Sequence, residues 1–201
     1  MNRIEMSDRL NALDMPVHYA IRMEQYPTDV RTAVELLFFA DSLGRINGKD
    51  VADFGCGNGI LGIGAALLGA KSVDFYDIDG SMVSLAQKNF TKLNLTGCKA
   101  YLEDFFDVEK RYDTVIANPP FGIQSHFNIK AFITKVEGIS DSFFLVFKSN
   151  SQSKELAQKM GVKIKELGAI PIPKTTKFHK KKWVDIPVCL IYNDPPVETG
   201  A

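Results

Sequence analysis

Val51-Ala52-Asp53-Phe54-Gly55-Cys56-Gly57-Asn58-Gly59 begins with four residues of strand character and then breaks into three alternating glycines. Residues 60–68, which follow, are helical in composition. Strand, glycine turn and helix in that order open a nucleotide-binding sheet, because glycine takes φ > 0 readily and lets a ligand approach the backbone. The spacing is not G-x-G-x-x-G, the fingerprint that grips a bridging pyrophosphate. The ligand it points to carries a ribose and a base but no diphosphate.

Residues 71–78 read as the second strand and end in Asp77-Ile78-Asp79. An acidic side chain about twenty residues beyond the glycine turn is placed to bind the two hydroxyls of a ribose. Asp77 stands nearest the strand end, and Asp79 reads as the N-cap or a nearby charge of a helix over 80–93. Residues 99–102 form a short third strand, after which comes Glu103-Asp104-Phe105-Phe106. At that strand end Asp104 can accept a hydrogen bond from an adenine amine while Phe105 covers the ring. Taken alone, Asp104 also fits an ordinary solvated turn.

The apolar run Tyr112-Asp113-Thr114-Val115-Ile116-Ala117 reads as a buried strand. Asn118-Pro119-Pro120-Phe121 must end it, since proline has no N–H for a ladder. The stiff turn lies at the carboxyl end of a strand, where open α/β sheets carry their ligands. The Asn118 side-chain oxygen and the Pro119 carbonyl can accept both hydrogens of one planar NH2 group, and Phe121 can stack on the ring that bears it. An exocyclic amine on a nucleobase is a poor nucleophile because its lone pair is delocalised. Accepting its hydrogens draws the nitrogen towards a tetrahedral, nucleophilic state. The same four residues also fit a purely structural turn.

Outside this centre, residues 2–14 show a weak helical pattern ended by Pro16. Glu24-Gln25-Tyr26-Pro27-Thr28 precedes a helical run over 32–43 with Thr28 as its N-cap, a segment that alone reads as an ordinary helix start. Residues 122–130 read as loop, 131–137 as a short helix, 142–147 as a fifth strand and 151–160 as a helix. Strands over 162–172 and 184–192 complete the pattern, and a tail over 194–201 is expected to fray. With no linker or repeat, one domain is expected: a helical extension over 1–49, a core over 50–193 and the tail. Between the last two strands lies Lys174-Thr175-Thr176-Lys177-Phe178-His179-Lys180-Lys181-Lys182-Trp183. Ammonium groups for phosphates beside rings for unstacked bases make a nucleic-acid contact. A solvated hairpin tip is the alternative.

The 201 residues carry 24 basic and 24 acidic side chains, so any attraction to nucleic acid must be local. Cys56, Cys98 and Cys189 are scattered without a C-x-x-C pair, which suggests neither a zinc site nor a disulfide framework. No signal-peptide core and no run long enough to span a membrane is visible, and a cytoplasmic protein is expected.

Asp53-Phe54-Gly55-Cys56-Gly57-Asn58-Gly59 and Asn118-Pro119-Pro120-Phe121 together resemble class I S-adenosylmethionine-dependent methyltransferases acting on amines conjugated to a planar system. The resemblance leaves open adenine in DNA, adenine or guanine in RNA, and the glutamine amide of a release factor. Two further segments narrow it: Glu24-Gln25-Tyr26-Pro27-Thr28, and Lys177-Phe178-His179-Lys180-Lys181-Lys182 followed by Val184-Asp185-Ile186. With Asp77-Ile78-Asp79 and Asp113-Thr114-Val115-Ile116, the chain over residues 23–192 is similar to the archaeal form of the methyltransferase-like family that makes N6-methyladenine in small-subunit ribosomal RNA.

That resemblance implies an α/β, Rossmann-like fold: a mostly parallel seven-stranded sheet, helices on both faces and an antiparallel last strand. It implies S-adenosyl-L-methionine as cofactor, held by Gln25, Thr28, Asp53, Gly55, Gly57, Asn58, Ile60, Asp77 and Asp104. Asn118, Pro119, Pro120 and Phe121 would hold the target adenine, and Lys177, Phe178, His179, Lys180, Lys181 and Lys182 the RNA. Asn58 departs from the eukaryotic members, which carry a cysteine there. Those members also work with a small zinc-containing activator subunit, so a counterpart partner is implied. The competing expectations are a release-factor glutamine or DNA adenine methyltransferase, and a non-catalytic subunit that binds RNA or a partner.

Overall fold

A computed structural model describes residues 1–16, 28–121, 127–173 and 183–195. Seven strands form one sheet in the order β3-β2-β1-β4-β5-β7-β6. They are β1 (Asp50–Phe54), β2 (Ser72–Asp77), β3 (Cys98–Leu102), β4 (Tyr112–Ala117), β5 (Ser140–Lys148), β6 (Lys163–Pro173) and β7 (Trp183–Asn193). The first five run parallel, and β7 is antiparallel to both β5 and β6, as the resemblance implies.

The helices are α1 (Arg3–Asn11), α2 (Val30–Ser42), α3 (Ile60–Leu67), α4 (Gly80–Lys92), α5 (Ile129–Ile139) and α6 (Ser151–Met160). Pleat parity sends neighbouring residues to opposite faces of the sheet. Phe75 therefore meets Phe90 of α4 on one face, while Phe54 and Tyr76 meet each other and Phe54 meets Phe132 of α5 on the other. On the first face α3 presses close: a Cβ on Gly62 would lie 2.3 Å from the Phe75 ring, and one on Gly64 2.2 Å from Leu37 of α2. Those two glycines let three layers of packing meet. Among the described residues no helix is long and apolar enough to cross a membrane.

Three local readings change. Asp29, not Thr28, caps α2, its carboxylate accepting the Thr32 N–H at 3.1 Å, because Asp29 directly precedes the first helical residue. Helix α5 runs past the expected 131–137 at both ends, since Asn128 caps it and Ile139 continues the buried set Phe132, Ile133 and Val136 at helical spacing. Asp194 and Pro195 do not fray. Arg45, 8 % exposed, donates to the Asp194 carboxylate and the Pro195 carbonyl, since so buried a guanidinium needs partners.

The last two strands reach beyond the sheet. β5 pairs with β7 only from Phe143↔Asn193 to Lys148↔Val188, whereas β6 continues along β7 to Pro173↔Trp183. The unshared pairs form a two-stranded ribbon past Lys148, towards the carboxyl ends of the parallel strands. At its base the register shifts between Glu166 and Gly168, and Arg31 of α2 donates to the Leu167 carbonyl at 3.2 Å.

Candidate active site

Gly55, Gly57 and Gly59 all adopt positive φ, between 54° and 85°, which explains why each is glycine. Among the described residues a Cβ on Gly55 or Gly57 would meet nothing within 4 Å, so on that side the loop leaves room for a ligand. Gly59 has the opposite surroundings: its Cβ would come within 3.2 Å of Ala86, so α4 backs the loop closely. Asp77, at the end of β2, binds the loop from below, accepting from the N–H of Gly57 at 3.0 Å and of Asp79 at 3.0 Å. Burial raises its carboxyl above the ordinary range, against those two N–H groups. Asp79 caps α4 as expected.

Asp53 lies deeper, 1 % exposed, and accepts the Gly62 N–H at 2.8 Å. Burial pushes its carboxyl up to about 7, and the nearby charge of Asp77 adds to the effect. It supports the glycine loop and the start of α3 from beneath. Ile60 opens α3 and is 6 % exposed.

Asn58 is turned inward, its Nδ2 donating to the Asp14 carbonyl at 3.4 Å. Asn89 of α4, fully buried, donates to the carbonyls of Asp14 and Asn58 and accepts the Asp14 N–H. One side chain thus ties the segment after α1 to the glycine loop. Asn89 shares the buried face of α4 with Met82, Ala86 and Phe90, and a polar residue in that register is the sequence signal that marks it. Asp104 is exposed and accepts the Phe106 N–H at 2.9 Å within its own turn. The Glu103 N–H donates to the Asp77 carbonyl, so the two acidic strand ends stand side by side. Phe105 packs inward on Phe54 and Phe132.

The Asn118 turn leaves the neighbouring strand. Phe54 pairs with Ala117, so Gly55 and Asn118 depart from adjacent strands at one level, about 4.8 Å apart in the pairing direction. Asn118 donates from Nδ2 to the Thr28 hydroxyl at 2.9 Å. Pro119 is buried, and Phe121, 3 % exposed, rests edge-on against Phe147. Thr28, Asp53, Gly55, Gly57, Asn58, Ile60, Asp77, Asp104 and Asn118 thus lie at or beneath one end of the parallel strands. Gln25 and the basic set Lys177, Phe178, His179, Lys180, Lys181 and Lys182 lie outside the described residues.

The strand order with its antiparallel β7 and the glycine loop beside the proline turn define a class I methyltransferase fold. Residues 31–142 match the methyltransferase small domain family. The chain is 30 % identical over 202 residues to the rRNA N(6)-adenosine-methyltransferase METTL5 of Danio rerio, covering 95 % of this chain and 98 % of that one. It is 34 % identical over 186 residues to an uncharacterized protein of Methanocaldococcus jannaschii, covering 84 % and 83 %. The crystal structure of PH1948 from Pyrococcus horikoshii, provisionally named an RNA methyltransferase, superposes with a TM-score of 0.86 at 32 % identity, covering 96 % and 97 %. The chain belongs to the methyltransferase small domain family and, within it, to the group of full-length relatives that includes METTL5.

Proposed function

We propose that this methyltransferase modifies the N6 amine of an adenine in small-subunit ribosomal RNA, with S-adenosyl-L-methionine as methyl donor. The observation that carries the reading is the pairing of Phe54 with Ala117, which sets the open glycine loop and the Asn118 turn on neighbouring strand ends. The full-length relative named for rRNA adenosine N6 methylation supports the substrate class.

The cofactor fits the open side of Gly55 and Gly57, where backbone comes close without side chains, with Asp77 for its ribose and Asp104 for its adenine. Bound there, it supplies an electrophilic methyl on a sulfonium. The protein's own part lies at the turn. The target adenine leaves its stack, the Asn118 Oδ1 and the Pro119 carbonyl accept the amine hydrogens, and the nitrogen lone pair is freed from conjugation. Phe121 supports the turn from Phe147, and its stacking on the base requires the ring to turn outward. The lysines of residues 177–182 meet RNA phosphates.

The scattered cysteines Cys56, Cys98 and Cys189, all unpaired, support a reducing, cytoplasmic setting. A zinc-containing partner has a candidate surface at β3, one of the two edge strands of the sheet, where Leu102 is 66 % exposed.

The test is transfer of labelled methyl groups to intact small ribosomal subunits, naked ribosomal RNA, DNA and release factor, with the product digested to nucleosides or amino acids. Label in N6-methyladenosine from ribosomal RNA is expected, and Asn118→Ala abolishes it while cofactor binding persists. Label in glutamine overturns the RNA assignment, and near-normal turnover by the variant overturns the role of the turn.

A further inference from the structure

Thr28 and Asn118 are 90 positions apart, and the structure brings the hydroxyl of one to the amide of the other at 2.9 Å. Thr28 is 9 % exposed and immediately precedes Asp29, whose carboxylate and carbonyl cap the first turn of α2. Its hydroxyl is therefore held by a helix start packed into the core through Leu37 and Gly64, rather than by a free loop. Asn118 is held equally firmly from its own side, by a buried strand before it and by prolines after it.

An asparagine amide has two orientations related by a half-turn, which exchange an acceptor for a pair of donors. The difference decides whether the turn can work. An NH2 group presented to the NH2 of a nucleobase sets donor against donor, whereas the oxygen in the same place accepts. In this structure the Asn118 NH2 is engaged by Thr28, so its oxygen occupies the other side of the amide plane.

We propose that Thr28 is a positioning residue that locks the Asn118 amide in its accepting orientation. This rests on reading the turn as the amine site, and it gives Thr28 a task separate from the cofactor contact implied by sequence resemblance. The Thr28 hydroxyl performs the task as an acceptor, taking the Asn118 Nδ2 hydrogen at 2.9 Å. Valine has the same shape and lacks the acceptor.

Two measurements test it. In steady-state kinetics at saturating cofactor, Thr28→Val lowers kcat about tenfold, the scale of one hydrogen bond of orientation. The KM for S-adenosylmethionine stays within twofold, and Thr28→Ser restores kcat. A raised cofactor KM with kcat recovered at saturation overturns the proposal and makes Thr28 a cofactor contact. So does an unchanged kcat. The second measurement needs no turnover: in the free protein the Asn118 side-chain amide protons, assigned by nitrogen NMR, exchange slowly with solvent, and Thr28→Val speeds their exchange at least tenfold. Fast exchange in the unsubstituted protein removes the lock whatever the substrate proves to be. A slow amide in a protein that transfers no methyl group to any amine instead removes the reading of the turn and leaves the lock standing.

Discussion

On one side of Asn118 the sheet runs β4-β1-β2-β3, all parallel; on the other it runs β5-β7-β6, with β7 antiparallel to both neighbours. The parallel side positions chemistry by strand ends. Each end carries a turn, and beneath the turns lie Asp53 and Phe75, with Gly62 of α3 pressed so close that a Cβ there would strike the Phe75 ring. The antiparallel side positions a ribbon by backbone pairing that outruns the sheet, with Arg31 as a side-chain tie at its base. Small ligands and reacting groups need the first construction, because a displacement of about 1 Å already costs catalysis heavily. A long polymer needs reach, and on the function proposed above the ribbon is the part that would give it.

The largest effect tests how far the parallel side tolerates strain for its site. The Asp53 carboxyl is pushed up by burial to about 7 from an ordinary 3.8. The folded chain then holds that proton more tightly than the unfolded chain, so the group's stabilising share is complete below pH 3.8 and is lost as pH rises to about 7. At about 1.4 kcal/mol per unit this is on the order of 4 kcal/mol, a net figure in which the Gly62 hydrogen bond already opposes the effect of burial. Asp53→Asn removes the titration. Its melting temperature should match the natural protein near pH 4, rise above it progressively and level off beyond pH 7. A difference that does not change with pH means Asp53 holds no such proton.

The same contrast explains what the sequence made visible. Along β1, β2 and β4 the strand ends are punctuated by glycine, aspartate and proline, residues whose backbone behaviour is local, so the glycine loop, Asp77, the Asp79 cap and the Asn118 turn could be read directly. The Thr28–Asn118 bond could not, since Thr28 looks like any helix start and its partner is 90 positions away. Asn89, a polar residue on an apolar helix face, and Gly168, an isolated glycine within a strand, carry only local signals. Neither pattern says what the residue will touch, because that is settled by long-range packing. The ends of β6 and β7 were found to within a residue, yet their overreach past β5 depends on registers that no local pattern contains.

A middle-sized effect sharpens the parallel side. Gly62 sits inside α3, where alanine ordinarily gains up to about 1 kcal/mol of helix propensity. Its added Cβ would stand 2.3 Å from the Phe75 ring, which is itself fully buried and touches Phe90. Overpacking of that kind costs about 1–3 kcal/mol, so Gly62→Ala should lose stability in spite of propensity. Urea denaturation reads the sign, and a stabilised variant would mean that α3 is not pressed onto the sheet.

Gly168 is the matching position on the ribbon and gives the smallest effect at the reacting centre. It holds φ +107°, and a Cβ there would come within 2.4 Å of the Arg31 Nη2. The neighbour is the end of a long side chain, which swings aside at little cost, whereas the buried Phe75 ring cannot. What remains is backbone strain of about 1 kcal/mol and the Arg31 bond to the Leu167 carbonyl, itself worth about 1 kcal/mol. Gly168→Ala should therefore lower global stability by no more than about 2 kcal/mol, leave cofactor affinity unchanged, and weaken binding of long RNA more than methylation of a short oligonucleotide, because the bulge sets where the ribbon points. Equal losses on long and short substrates would tie the ribbon to the reacting centre and dissolve the contrast between the two sides of the sheet.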